Sequence, residues 1–229
     1  MSRDEFLSRV RQATQAGRAF RVHVADVDAE TGYVGARCED VCQAMAAEVD
    51  EVGGKAHIVS NIEAAREHLL DLLEQYKASS LLLWEHEVLT TVGIRTALAD
   101  SHIEMFDHAR LTAMNHADAR SAIMAADVGI TSCDIAVAET GSLIVCSQPG
   151  QERIASLVTP VHIAVVTRQQ IVADLFDAFE RLDKLGFDDI PSNISIITGP
   201  SKTGDIELTL TTGVHGPGKW HVIIIDQSN

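Results

Sequence analysis

A chain of 229 residues with 46% hydrophobic residues can bury a substantial core, and its length fits one α/β domain better than two. The formal net charge of −15 opposes docking on a phosphate backbone, because nucleic-acid affinity is drawn from lysine and arginine neutralising phosphates, so no nucleic-acid partner is expected. The longest apolar runs, 79–84 and 221–225, fall far short of the roughly 20 residues that cross a bilayer, and no membrane span is expected.

The first residues, Met1-Ser2-Arg3-Asp4-Glu5-Phe6, mix charges and lack the apolar stretch of a secretory signal, so a cytoplasmic location is expected. Residues 1–18 carry Phe6, Val10, Ala13 and Gly17 at helical spacing, which predicts an amphipathic helix with Ser2 as cap. Residues 19–37 read as an irregular connection, so 1–37 is expected to form an N-terminal helical arm and 38–226 the main domain.

From residue 38 helical and strand periods take turns. Helices are predicted over 38–51, 62–76, 89–99 and 112–126, with Asn61 or Ser60 capping the second. Strands are predicted over 56–59, 81–84 and 102–106, and this alternation is the mark of a parallel sheet covered by helices. The strand candidates 127–131, 135–138 and 143–146 are too close-set for crossovers and suit antiparallel hairpins, which makes the expected sheet mixed but mostly parallel. A short helix over 153–157, strands over 161–166, 193–197 and 220–225, and a helix over 170–185 complete the chain.

Chemistry concentrates in three glycine-bearing segments of the C-terminal half. Gly199-Pro200-Ser201-Lys202-Thr203-Gly204-Asp205 follows an apolar strand, and a loop at a strand's carboxyl end is where open α/β sheets place ligands. Its glycines permit close backbone approach, its hydroxyls can hydrogen-bond and Lys202 is a point charge, a combination suited to a phosphate or carboxylate. The same letters also describe a polar turn before a short helix starting near Asp205. Glu139-Thr140-Gly141-Ser142 sets an acid at a hairpin tip, either as nucleophile or base or as an exposed turn glutamate. Gly213-Val214-His215-Gly216-Pro217-Gly218 is a constrained loop that offers His215 as a group able to donate, accept or titrate. Convergence of these loops would make Glu139 and His215 the catalytic candidates. Thr140, Gly141, Ser142, Gly199, Pro200, Ser201, Lys202, Thr203, Asp205 and Gly216 would then bind a small anionic ligand.

No metal site is expected: His102 with Glu104, and His86 between Glu85 and Glu87, lack a third ligand at recognisable spacing. Cys38, Cys42, Cys133 and Cys146 form neither a CxxC pair nor a cluster that would hold an iron–sulfur centre, so reduced thiols and no bound cofactor are expected.

The segments Ala138-Glu139-Thr140-Gly141-Ser142, Arg153-Ile154-Ala155-Ser156-Leu157, Pro160-Val161-His162-Ile163, Gly199 to Glu207 and Gly213-Val214-His215-Gly216-Pro217 occur in this order. Together they resemble the LUD-domain family, of the lactate utilization protein C type, over roughly residues 35–226. The resemblance implies a fold similar to the sugar-phosphate isomerase and CoA-transferase superfamily. It also implies a role in oxidising L-lactate to pyruvate beside iron–sulfur subunits. CoA-transferases use a glutamate closely followed by glycine as acyl-accepting nucleophile, and Glu139-Thr140-Gly141 is similar in type. Two expectations stand: a non-redox subunit of a lactate-oxidising system, or an enzyme of CoA-transferase or sugar-phosphate isomerase type that uses Glu139. Self-association into a homo-oligomer is compatible with either.

Overall fold

The computed structural model describes residues 2–17, 39–184, 191–206 and 209–227. The chain separates into two units, Met1–Val34 and Gly35–Asn229. The predicted connection 19–37 and Cys38 lie outside the described residues.

In the first unit α1 spans Arg3–Gly17. The Ser2 hydroxyl accepts the Glu5 N–H at 3.2 Å while the Ser2 N–H donates to the Glu5 carboxylate at 2.7 Å, a reciprocal cap that satisfies two otherwise orphaned donors.

The second unit is built on a six-stranded, wholly parallel sheet. Its strands are β1 (Lys55–Val59), β2 (Ser80–Leu83), β3 (Glu104–Phe106), β4 (Val128–Thr131), β7 (Val161–Thr167) and β12 (Lys219–Ile225), in the order β1-β12-β7-β4-β2-β3. The four residues Val161–Ala164 and the run Val222–Ile225 are buried throughout, as expected of strands covered on both faces. Between the strands run α2 (Val41–Glu51), α3 (Ile62–Gln75), α4 (Glu87–Val92), α5 (Ile94–Ala97), α6 (His108–Ala113), α7 (His116–Ala125) and α8 (Ile154–Leu157). Asn61 caps α3 by accepting the Ala64 N–H at 2.8 Å. The single helix predicted over 89–99 is two, because Gly93 takes a left-handed φ of 73° that ends α4. The helix predicted over 112–126 is likewise divided between α6 and α7 by Met114 and Asn115 in extended backbone.

A second sheet holds β5 (Ile135–Val137), β6 (Ser142–Cys146), β8 (Ile171–Val172) and β9 (Ile194–Ile197) in the order β8-β5-β6-β9. The predicted β5–β6 hairpin is present and antiparallel, whereas β4 belongs to the parallel sheet and makes no hairpin with β5. Period-2 patterning explains why this sheet reads as uniformly apolar: Ala136, Leu143 and Val145 join the main core. Ile135, Val137 and Ile144 face the other way, with Val172 and Ala178. Ala178 belongs to α9 (Leu175–Asp183), which starts later than the predicted helix because Ile171 and Val172 are taken up by β8. The segment after Gly199 is a ribbon of β10 (Lys202–Ile206) and β11 (Thr209–Thr212), in place of the short helix considered near Asp205.

Candidate functional site

A cavity of about 650 Å³ opens at the carboxyl ends of the parallel strands, where the segments following β2, β4, β7 and β12 meet α4 and α9. This is the position at which parallel α/β sheets present ligands. Its polar lining includes His86, Asp134, Gln170 and Arg181. His86 Nδ1 accepts the Val88 N–H at 3.2 Å, which leaves the proton of the neutral ring on Nε2. Burial lowers the His86 pKa, against the opposing pull of the Asp134 and Glu87 charges. One Asp134 oxygen accepts the Cys146 N–H at 2.7 Å. Gln170 locks the turn after β7: its Oε1 accepts the Thr167 N–H at 2.8 Å, and its Nε2 donates to Ser132 and to the Cys133 carbonyl. Arg181 reaches the Gln169 carbonyl at 3.2 Å from α9. A neutral imidazole, a carboxylate and a guanidinium around one cavity can hold a small polar ligand and exchange a proton with it. Of these four, sequence reasoning had weighed only His86, as a metal ligand; the available signal was its place just beyond an apolar strand.

The residues singled out from sequence divide between two places. Glu139 is exposed at the β5–β6 turn and is not among the residues lining either cavity described here. Its neighbour Gly141 is buried against α2: φ is 61°, and a Cβ there would lie 2.7 Å from the Val49 nitrogen. Thr140 and Ser142 hydroxyls meet at 2.7 Å, and Ser142 meets the Thr198 hydroxyl at 2.6 Å, which ties this turn to the Gly199 loop. Lys202 Nζ donates to the Val52 carbonyl at 2.6 Å, at the C-terminus of α2, where a cation is favoured by the helix dipole. The two loops therefore meet at the end of α2, and Lys202 has a structural partner there.

Gly199, Ser201, His215 and Gly216 instead line a cavity of about 220 Å³. It lies by the amino ends of β7 and β12, since Ser201 N–H donates to Pro217 O at 2.8 Å and Gly218 N–H to Pro160 O at 3.1 Å. The Gly199 loop is thus not at the carboxyl edge of the parallel sheet, because β9 pairs antiparallel with β6 in the other sheet. Pro200 is buried within this loop, Thr203 lies in β10, and the Asp205 side chain is outside the described residues.

Asp40, Cys42 and Asp226 bring one ligand atom each within 4.8 Å of one another. Arg168 already supplies a positive charge there, donating to Asp226 at 2.5 Å and Asp40 at 2.9 Å. Its hydrogen bond holds the Asp226 carboxyl below the usual range, while burial first, then the Asp226 charge, push the Cys42 thiol up to about 11. Burial also raises Cys133, and raises Cys146 to about 12. These three thiols are buried in separate segments of the fold.

The LUD domain family matches residues 42–225. The chain is 33% identical over 168 residues to Lactate utilization protein C of Shouchella clausii, covering 72% of this chain and 69% of that protein. It is 32% identical over 162 residues to Lactate utilization protein C of Macrococcus caseolyticus, covering 70% and 67%. Its fold is similar to the crystal structure of a DUF162 family protein from Deinococcus radiodurans, with a TM-score of 0.57 at 21% identity, covering 81% of this chain and 96% of that one. With the family match spanning the whole of the parallel sheet, this chain belongs to the LUD-domain family.

Proposed function

We propose that this protein serves L-lactate utilization in the cytoplasm as a subunit without a redox centre of its own, beside iron–sulfur partner proteins that take the electrons as lactate becomes pyruvate. Its kinship with proteins named Lactate utilization protein C supports the pathway. The observation that carries the division of labour is the state of the thiols. Among the described residues, Cys42, Cys133 and Cys146 are buried and biased toward the protonated form, whereas cluster ligands are thiolates.

The enzyme reading, of CoA-transferase or sugar-phosphate isomerase type with Glu139 as nucleophile or base, has less support, because that side chain is exposed at a turn tip. Growth on L-lactate of a strain lacking this gene, complemented with wild type or Glu139→Gln, separates the two. Full rescue by Glu139→Gln, with co-purification of iron–sulfur proteins on a tagged wild-type chain, is the expected result. Loss of rescue by a folded Glu139→Gln protein would overturn the subunit reading in favour of the enzyme.

A further inference from the structure

The second sheet ends on β9, and the hydrogen-bond phase of that strand fixes what its outer edge offers. Ser147 N–H donates to the Asn193 carbonyl at 2.9 Å, so in the antiparallel β6–β9 pair Ser195 and Ile197 also turn their backbone groups toward β6. The N–H and C=O of Ile194 and Ile196 therefore point outward, and among the described residues no strand receives them. Their side chains share one face, opposite Cys146 and Ile144, and are 39% and 48% exposed. The other edges of the two sheets are blunted: β8 is two residues long, β3 is three and carries Glu104, and β1 carries Lys55. By contrast β9 has four residues in unbroken register, and the run 191–198 that holds it has no charge. An apolar edge without charge or bulge is one that natural sheets avoid leaving unpaired.

We infer that this edge pairs with the same edge of a second copy of the chain, antiparallel about a two-fold axis through Ser195. The hydrogen-bond phase makes the edge self-complementary. About that axis the Ile194 N–H donates to the Ile196 carbonyl of the second copy, the Ile194 carbonyl accepts the N–H of that same residue, and the symmetry repeats both bonds. Ser195 meets its own equivalent as the intervening non-hydrogen-bonded pair. A slip of one residue would set outward-pointing groups of one copy against inward-pointing groups of the other, so the pattern selects the register. Ile194 and Ile196 of both copies then gather on one face as cross-strand neighbours, and extend the apolar face that Ile135, Val137 and Ile144 begin. Leu157, which is exposed and lines the same small cavity as Ile196, adds apolar surface beside the seam. Charge favours this place for self-association: charges farther than about 8–10 Å are screened, so a seam of uncharged residues lets two chains of net charge −15 meet.

The pairing does not depend on the proposed function. Analytical ultracentrifugation of the purified full chain, on wild type, Ile194→Lys and Ile196→Lys, tests it, with circular dichroism to verify folding. The expected result is a wild-type dimer that each lysine substitution weakens about ten-fold or more, since a charge would enter the apolar seam. Both side chains are exposed in the single chain, so the variants keep the fold of the monomer. Ser195→Cys locates the axis. A non-hydrogen-bonded antiparallel pair sets its Cα atoms about 4.5 Å apart, within disulfide reach. Mild oxidation should therefore cross-link Ser195→Cys into a dimer, on a non-reducing gel, that wild type under the same oxidation does not form. A wild type that stays monomeric at its highest soluble concentration, a dimer indifferent to both lysine substitutions, or a Ser195→Cys dimer that does not cross-link would overturn the inference. A monomer that takes up a different protein, and loses it with Ile196→Lys, would also overturn it and give this edge to a partner's strand.

Discussion

Acidification should destabilise this fold before its carboxylates titrate, and His162 allows the effect to be isolated. The ring is fully buried, and that burial lowers its pKa from 6.5 to about 3. A histidine depressed in the folded state is neutral there and protonated in the unfolded chain between the two pKa values. The unfolded state then binds more protons, so stability is fully present above about pH 6.5 and is lost progressively as pH falls toward 3. At about 1.36 kcal/mol per pH unit per proton, the His162 contribution lost between pH 7 and pH 5 is about 2 kcal/mol. His57 and His221, both lowered to about 4 chiefly by burial, add to the same slope in wild type, with His221 held between His57 at 3.0 Å and the Tyr76 hydroxyl at 2.7 Å. The Asp107, Asp127 and Asp226 carboxyls, all lowered, act only at more acid pH. Urea unfolding at pH 7 and pH 5 of wild type and His162→Gln gives the double difference in which the other groups cancel. Wild type should lose about 2 kcal/mol more than the variant over that interval. Equal losses, within about 0.5 kcal/mol, would refute the assignment of a neutral buried imidazole.

Two further substitutions test the packing that positions the loops. Gly129 on β4 lies under α8, where an added Cβ would fall 1.7 Å from the Ala155 carbonyl oxygen, a backbone atom that cannot swing aside. Gly129→Ala should therefore cost about 3 kcal/mol by lifting α8, and an unchanged urea midpoint would contradict this packing. Lys202→Met should cost about 0.5–1 kcal/mol through loss of the charge at the end of α2, read as a lower urea midpoint. An unchanged midpoint would contradict the contact between Lys202 and the Val52 carbonyl.

Local chemistry made much of this fold legible. Ser2 with Glu5, Asn61 and the apolar runs of β2, β7 and β12 announce their elements because caps and periodicity act over a few residues. The errors arose where one short apolar pattern fits two outcomes: Ile171-Val172 continue the apolar positions of α9 but form a strand, and Gly93 divides a helix through its left-handed backbone.

Which sheet a strand enters was decided only in three dimensions. β4 and β5 are separated by Ser132-Cys133-Asp134, yet β4 pairs with β2 and β7 while β5 pairs with β6 and β8. The sequence by itself determined the α/β class, the glycine-bearing turns and the family. The tertiary structure alone placed Lys202 on α2, set His162 beside Trp220 across parallel strands, and assembled His86, Asp134, Gln170 and Arg181 at one edge. The physical reason is that strand pairing and buried polar contacts join residues far apart in the chain. Their energies depend on which surfaces pack together, and no spacing along the chain records that.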